Sequence, residues 1–179
     1  MTGRHPLERS LGVTSKTLLD AISRSNRILV AVKGAIAQEQ LRRKLGTLRT
    51  NGRIANFDSI DKDGQPDFKV RYRGRDYLIE CKNVQKKLRL GEMTVDFMKT
   101  RYAKTKGPST RFYAASEFDI LAACLFNQTG KWEFLFIPTR MLGRHPKYST
   151  RLDSKVSLGN SKRYFRFWRD SLIAALNLV

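Results

Sequence analysis

The amino-acid sequence predicts an α/β fold, with a central mixed β-sheet flanked by helices. Three observations predict it. The first fifty residues carry apolar side chains at helical spacing, the period changes to strict alternation after Gly52, and helical and extended segments then alternate toward the C-terminal end. A helix, three strands, a further helix and more strands give a sheet that needs helices on its faces to bury it.

Each element follows from local signals. Thr14 caps a short helix whose apolar positions are Leu18, Leu19 and Ile22, and Ser25-Asn26 offers a stop. A longer helix is expected from about Arg27 to Thr50, where Leu41, Leu45 and Leu48 recur at i, i+4 and i+7 and Asn51-Gly52 closes it. Asp61-Lys62-Asp63-Gly64 reads as a turn between strands, and the segments Pro66 to Tyr72 and Asp76 to Asn83 flank Arg73-Gly74 as a hairpin. Met93 to Lys106 then suggests an amphipathic helix through Val95, Phe97, Met98 and Tyr102, ended by Gly107-Pro108. Extended segments are expected at Arg111 to Ala115, Phe118 to Phe126 and Trp132 to Ile137, the last two joined by a turn at Asn127-Gln128-Thr129-Gly130. Pro138 to Ser161 is irregular and basic, and Tyr164 to Val179 offers a helical face through Trp168, Leu172, Ile173 and Leu176.

The chain of 179 residues shows no Ser/Gly/Pro-rich seam, so one domain over 1–179 is expected, with a helical extension over about 1–26 and a basic segment over about 138–179. Hydrophobic residues make up 41%, which excludes a disordered basic tail. Against that ordinary background, 35 Lys and Arg face 16 Asp and Glu, a formal net charge of +19 that calls for a polyanionic partner. The apolar stretch Ile28 to Ala37 is interrupted by Lys33 and falls well short of the ~20 residues that span a bilayer, so no membrane association is expected. No signal-peptide layout is present, and Cys81 and Cys124 lack CxxC spacing, so a reduced, cytoplasmic setting is expected.

The hairpin carries the chemistry. If Tyr72 pairs with Arg75, Asp67 falls opposite Glu80 on one side of the sheet, with Lys82 two residues further on that same side. Phe68, Val70, Tyr72, Tyr77, Ile79 and Cys81 take the other side as an apolar surface. Two carboxylates so close repel unless a cation lies between them, and magnesium accepts a small number of carboxylates while keeping places for water and phosphate.

Pro66-Asp67 followed by Glu80-Cys81-Lys82 resembles the signature of the PD-(D/E)XK nuclease superfamily. The resemblance covers the middle third of the chain well. It implies a restriction-endonuclease-like αβββαβ core and a metal-dependent DNA endonuclease using Mg2+, with Mn2+ as a substitute. It also implies catalytic roles for Asp67, Glu80 and Lys82, a metal ligand in the backbone carbonyl of Cys81, and another metal-facing acid from the preceding helix, for which Glu39 is the candidate. Arg42, Arg43, Lys86, Lys87, Lys99, Arg101 and Lys104 are the candidates for tracking a phosphate backbone. Asp119 is expected in a strand-end or capping role. A homodimer acting on DNA is expected, because two related sites cut two strands most simply. A structure-specific nuclease such as a Holliday-junction resolvase or repair nuclease, and a noncatalytic nucleic-acid-binding protein, are the alternatives.

Overall fold

The computed structural model describes residues 4–99, 107–159 and 167–179. Contacts divide the chain into two compact units, Met1–Ile36 and Ala37–Val179.

The first unit is helical. Helix α1 (Pro6–Leu11) is capped by His5, whose ring nitrogen accepts from the Leu7 amide while Glu8 reaches back to the His5 amide. Glu8 also accepts from the amide and hydroxyl of Ser15 at 2.6 and 2.7 Å, tying α1 to helix α2 (Ser15–Arg24). Thr14 caps α2 as expected, accepting from the Thr17 amide. Helix α3 (Asn26–Thr50) begins in this unit and continues into the next. Among the described residues, no helix is long and apolar enough to cross a membrane.

The second unit is built on a five-stranded mixed sheet. Strands β1 (Asn56–Ser59), β2 (Phe68–Tyr72) and β3 (Arg75–Asn83) run antiparallel in turn. Strand β5 (Ile120–Cys124) lies parallel to β3, and β6 (Phe134–Pro138) closes the far edge antiparallel to β5. The spatial order is β1-β2-β3-β5-β6. The hairpin has the expected register, Tyr72 opposite Arg75, and its two-residue turn has positive φ at both positions, 47° at Arg73 and 78° at Gly74. That is the turn whose twist matches paired strands.

Alternation gives the sheet two distinct faces. Phe68, Val70, Ile79, Cys81, Ile120, Ala122 and Phe136 share one core with Ala37, Leu41 and Leu45 of α3 and with α5 (Leu172–Leu176). The opposite face is also covered, so it is not simply an open catalytic surface. Leu121, Ala123 and Ile137 pack there with Val95, Phe97, Tyr113, Phe118 and Trp168.

That second layer departs from the sequence expectation. Thr94–Asp96 is strand β4, paired antiparallel with β7 (Lys155–Ser157), not the start of a helix. Val95 in the strand and Phe97 just after it are both buried and two apart, the period of a strand, and the pairing partner lies some sixty residues on, beyond the reach of local pattern. The remainder of the expected helix, from Thr100 to Lys106, lies outside the described residues. A 3-10 turn at Pro108–Arg111 stands where an extended segment was expected to begin, Pro108 having pre-set its first φ. Phe126–Thr129 forms the short helix α4 rather than a simple turn, ended by Gly130 at φ 71°.

Candidate active site

Asp67 sits immediately before β2, where that strand parts from β3. Since Phe68 pairs with Ile79, one further step brings Asp67 to Glu80. Here the carboxylate of Asp67 replaces a backbone acceptor: its Oδ2 accepts from the Cys81 amide at 2.7 Å. Its Oδ1 accepts from Gln38 Nε2 at 2.6 Å, a bond that reaches from α3 to the strand end. Burial, then the neighbouring Glu80 charge, push the Asp67 pKa up to about 6, with Lys82 and the Cys81 amide pulling the other way.

Glu80 is 2% exposed, a carboxylate placed opposite Leu121 at the start of the second core. Its Oε1 takes two donors, the Lys82 ammonium at 2.5 Å and the Tyr113 hydroxyl at 2.6 Å. Oε2 is buried with no hydrogen-bond partner. A buried carboxylate oxygen without a partner is costly, and a cation is the chemistry that satisfies it.

Lys82 lies opposite Ala123 and remains half-buried. Burial lowers its pKa, but the Glu80 and Asp67 carboxylates outweigh that and hold it above the ordinary lysine value. It is therefore a fixed cation at neutral pH and not a base. The Cys81 side chain points into the helix-side core, where burial drives its thiol pKa far up, which leaves only its backbone carbonyl for the site.

Glu39, the expected additional acid, is engaged elsewhere. It accepts from Arg42 Nε at 2.6 Å and from Arg43 Nε at 2.9 Å, and these hydrogen bonds, Arg42 first, lower its pKa to about 2. Its neighbour Gln38 is the α3 residue that reaches Asp67. Among the described residues, no group of three or more His, Cys, Asp or Glu converges, so an ion at this position would have the two carboxylates of Asp67 and Glu80 and the Cys81 carbonyl to draw on. That set fits magnesium, which is commonly held by one or two carboxylates, better than zinc, which asks for three or four protein ligands.

Tyr113 and Gln38 are the two site residues that sequence reasoning missed. Tyr113 is held by the rings of Phe97 and Phe118, at 5.7 and 5.4 Å between centroids, and by the Leu152 amide donating to its carbonyl at 2.8 Å. Burial and the Glu80 carboxylate keep its hydroxyl protonated, so it donates.

The expected phosphate-tracking cations divide three ways. Arg42 and Arg43 are committed to Glu39 on an exposed helix face. Lys99 is paired with Glu117 at 2.7 Å and lies 5.2 Å from the Tyr113 ring centre, which makes it part of the second layer rather than a free cation. Lys86 and Lys87 are exposed just beyond Lys82, while Arg101 and Lys104 lie outside the described residues. Asp119 takes the strand-end role: its carboxylate accepts from the Leu78 amide at 2.7 Å and its own amide donates to the Leu78 carbonyl.

No family model matches the chain, and no curated protein does. Among solved structures, a similar fold is found in a bacterial homing endonuclease, I-Ssp6803I, with a TM-score of 0.54 and 18% identity over 83% of this chain and 90% of that one.

Proposed function

We propose that this protein is a magnesium-dependent DNA endonuclease of PD-(D/E)XK type, restriction-endonuclease-like, and that it works as a homodimer. The observation that carries the reading is the convergence of Asp67, Glu80 and Lys82, with Glu80 Oε2 buried and unpartnered. The fold it shares with a homing endonuclease supports DNA as the substrate, as does the net charge of +19.

In this reading Asp67, Glu80 Oε2 and the Cys81 carbonyl hold the ion, with manganese as a substitute. When bound, magnesium supplies Lewis-acid polarisation of the phosphodiester and lowers the pKa of a water enough to make it a nucleophile. The chain's own groups do the rest. Lys82, protonated throughout, turns from Glu80 toward the scissile phosphate and stabilises the charge that develops on its oxygens. Tyr113 keeps Glu80 Oε1 occupied, so that Oε2 is the oxygen offered. Gln38 fixes the rotation of the Asp67 carboxylate. Glu39 is left out of the ligand set because its charge is already balanced by ion pairs with two arginines, Arg42 and Arg43.

The test is incubation of the purified protein with duplex, branched and single-stranded DNA. Cleavage should appear with magnesium and vanish in excess chelator. Full activity in chelator would remove the metal reading, and no cleavage of any substrate with either metal would remove the hydrolase.

A further inference from the structure

A basic hairpin follows the catalytic strand. Past Val84, which bridges to Val95, the chain runs out through Lys86, Lys87 and Leu88 and turns back at Leu90-Gly91, with the amides and carbonyls of Arg89 and Glu92 exchanging bonds at 3.0 and 2.9 Å. Its base is clamped. Gln128 Nε2 donates to the carbonyls of Gln85 and Lys86 at 2.6 and 2.9 Å, Asn127 Nδ2 donates to the Val84 carbonyl at 2.8 Å, and Glu92 accepts from the Ser157 hydroxyl.

The tip is what demands an explanation. Leu90 is 96% exposed and Leu88 53% exposed, so two large apolar side chains stand in solvent on a clamped projection. Leu90 also has φ 51°, the left-handed region that a leucine rarely adopts and that Asn or Gly would take without strain. The positive φ of Leu90 and Gly91 serves the two-residue turn, as at Arg73-Gly74, but the exposure of the two leucines works against the folded chain. Their use therefore lies in a partner. Lys86, Lys87 and Arg89 flank the tip and outnumber the one acid in the hairpin, Glu92, so a polyanion with an apolar interior suits both the charge and the leucines.

Duplex DNA has that chemistry, phosphates outside and stacked bases within. We propose that the Leu90 hairpin is a wedge: Lys86, Lys87 and Arg89 seat on phosphates while Leu90 enters a groove and pries apart a base step beside the scissile phosphate. The inference rests on the endonuclease reading for its partner. It favours DNA over an anionic membrane because the hairpin leaves the sheet just past Lys82, from the same strand that carries Glu80.

A wedge binds more tightly where the bases are already loosened, because less unstacking remains to be done. The experiment measures the affinity of the full chain for a matched duplex and for the same duplex with one central mismatch, with calcium as the only divalent ion. The parent should prefer the mismatch by roughly tenfold. Leu90→Asn, which suits the left-handed turn, should lose that preference and bind the two duplexes alike, while Leu90→Met should retain it. Lys86→Ala with Lys87→Ala should weaken both duplexes alike. A parent without the preference, or a Leu90→Asn variant that keeps it, overturns the wedge. So does loss of binding to anionic phospholipid vesicles, or of self-association, as the effect of Leu90→Asn. If the parent cleaves DNA but shows no mismatch preference, the wedge alone fails; if it binds no DNA, wedge and endonuclease fail together.

Discussion

Replacing Asp67 with Asn tests the site through stability, independently of turnover. Burial and the Glu80 charge raise the Asp67 pKa from an ordinary 3.8 to about 6. A carboxyl raised on folding contributes stability that is present below its unfolded pKa and lost as pH rises through the folded one. The metal-free protein should therefore lose stability from this group between about pH 4 and pH 6. At ~1.4 kcal/mol per pKa unit, a shift of about two units sets an upper limit near ~3 kcal/mol, and partial solvent screening brings the expectation to ~1–2 kcal/mol. Asn removes the charge with little change of volume. Its carbonyl can accept from the Cys81 amide and its amide can donate to Gln38 once that side chain turns over, so both bonds survive. The assay is chemical denaturation of both proteins in chelator across roughly pH 4.5 to 7.5. Groups remote from Asp67 cancel in the difference, and the variant's relative stability should grow with pH and level off above about pH 7. Added magnesium should then stabilise the parent and leave the variant nearly unmoved. Parallel pH profiles would refute the raised pKa that burial and the Glu80 charge give Asp67.

Lys82→Ala should lower single-turnover cleavage by orders of magnitude while leaving calcium-supported DNA affinity nearly intact, because one transition-state contact is worth ~3–4 kcal/mol in rate and little in ground-state binding. Recovery of the parent rate at high magnesium would show instead that Lys82 serves only to balance Glu80. Tyr113→Phe should raise the magnesium needed for half-maximal cleavage several-fold and cost ~1–3 kcal/mol of stability, since a buried carboxylate oxygen loses a donor. An unchanged metal titration, with stability lowered, would confine Tyr113 to a packing role.

The hairpin was legible because its information is local. Turn residues, alternation and register lie within the stretch from Pro66 to Asn83, and the pairing of Tyr72 with Arg75 follows from the two-residue turn alone. The layer over the opposite face was not, because β4 finds its partner in β7 and Tyr113 meets Leu152 across chain separations that no period records. Three-residue strands also give too short a run for alternation to declare itself. Val95, Phe97 and Met98 are compatible with either a helix face or a strand, and only the pairing decides between them.

The same distinction separates the site residues. Asp67, Glu80 and Lys82 follow from register, but choosing between Gln38 and Glu39 requires the rotation of α3 over the sheet. The buried stripe Ala37, Leu41 and Leu45 sets that rotation, and Gln38 stands directly beside Ala37. A residue flanking the buried stripe reaches the strand end, whereas Glu39, one step further round, meets Arg42 and Arg43 a turn ahead at i+3 and i+4. Tyr113 carries no such local signal, since its role exists only because the second layer brings it to Glu80. The two faces of the sheet thus hold the two acids differently. Asp67 is fixed by a helix residue from the first core and Glu80 by an aromatic residue from the second, so a change that loosens either layer should disturb one carboxylate before the other.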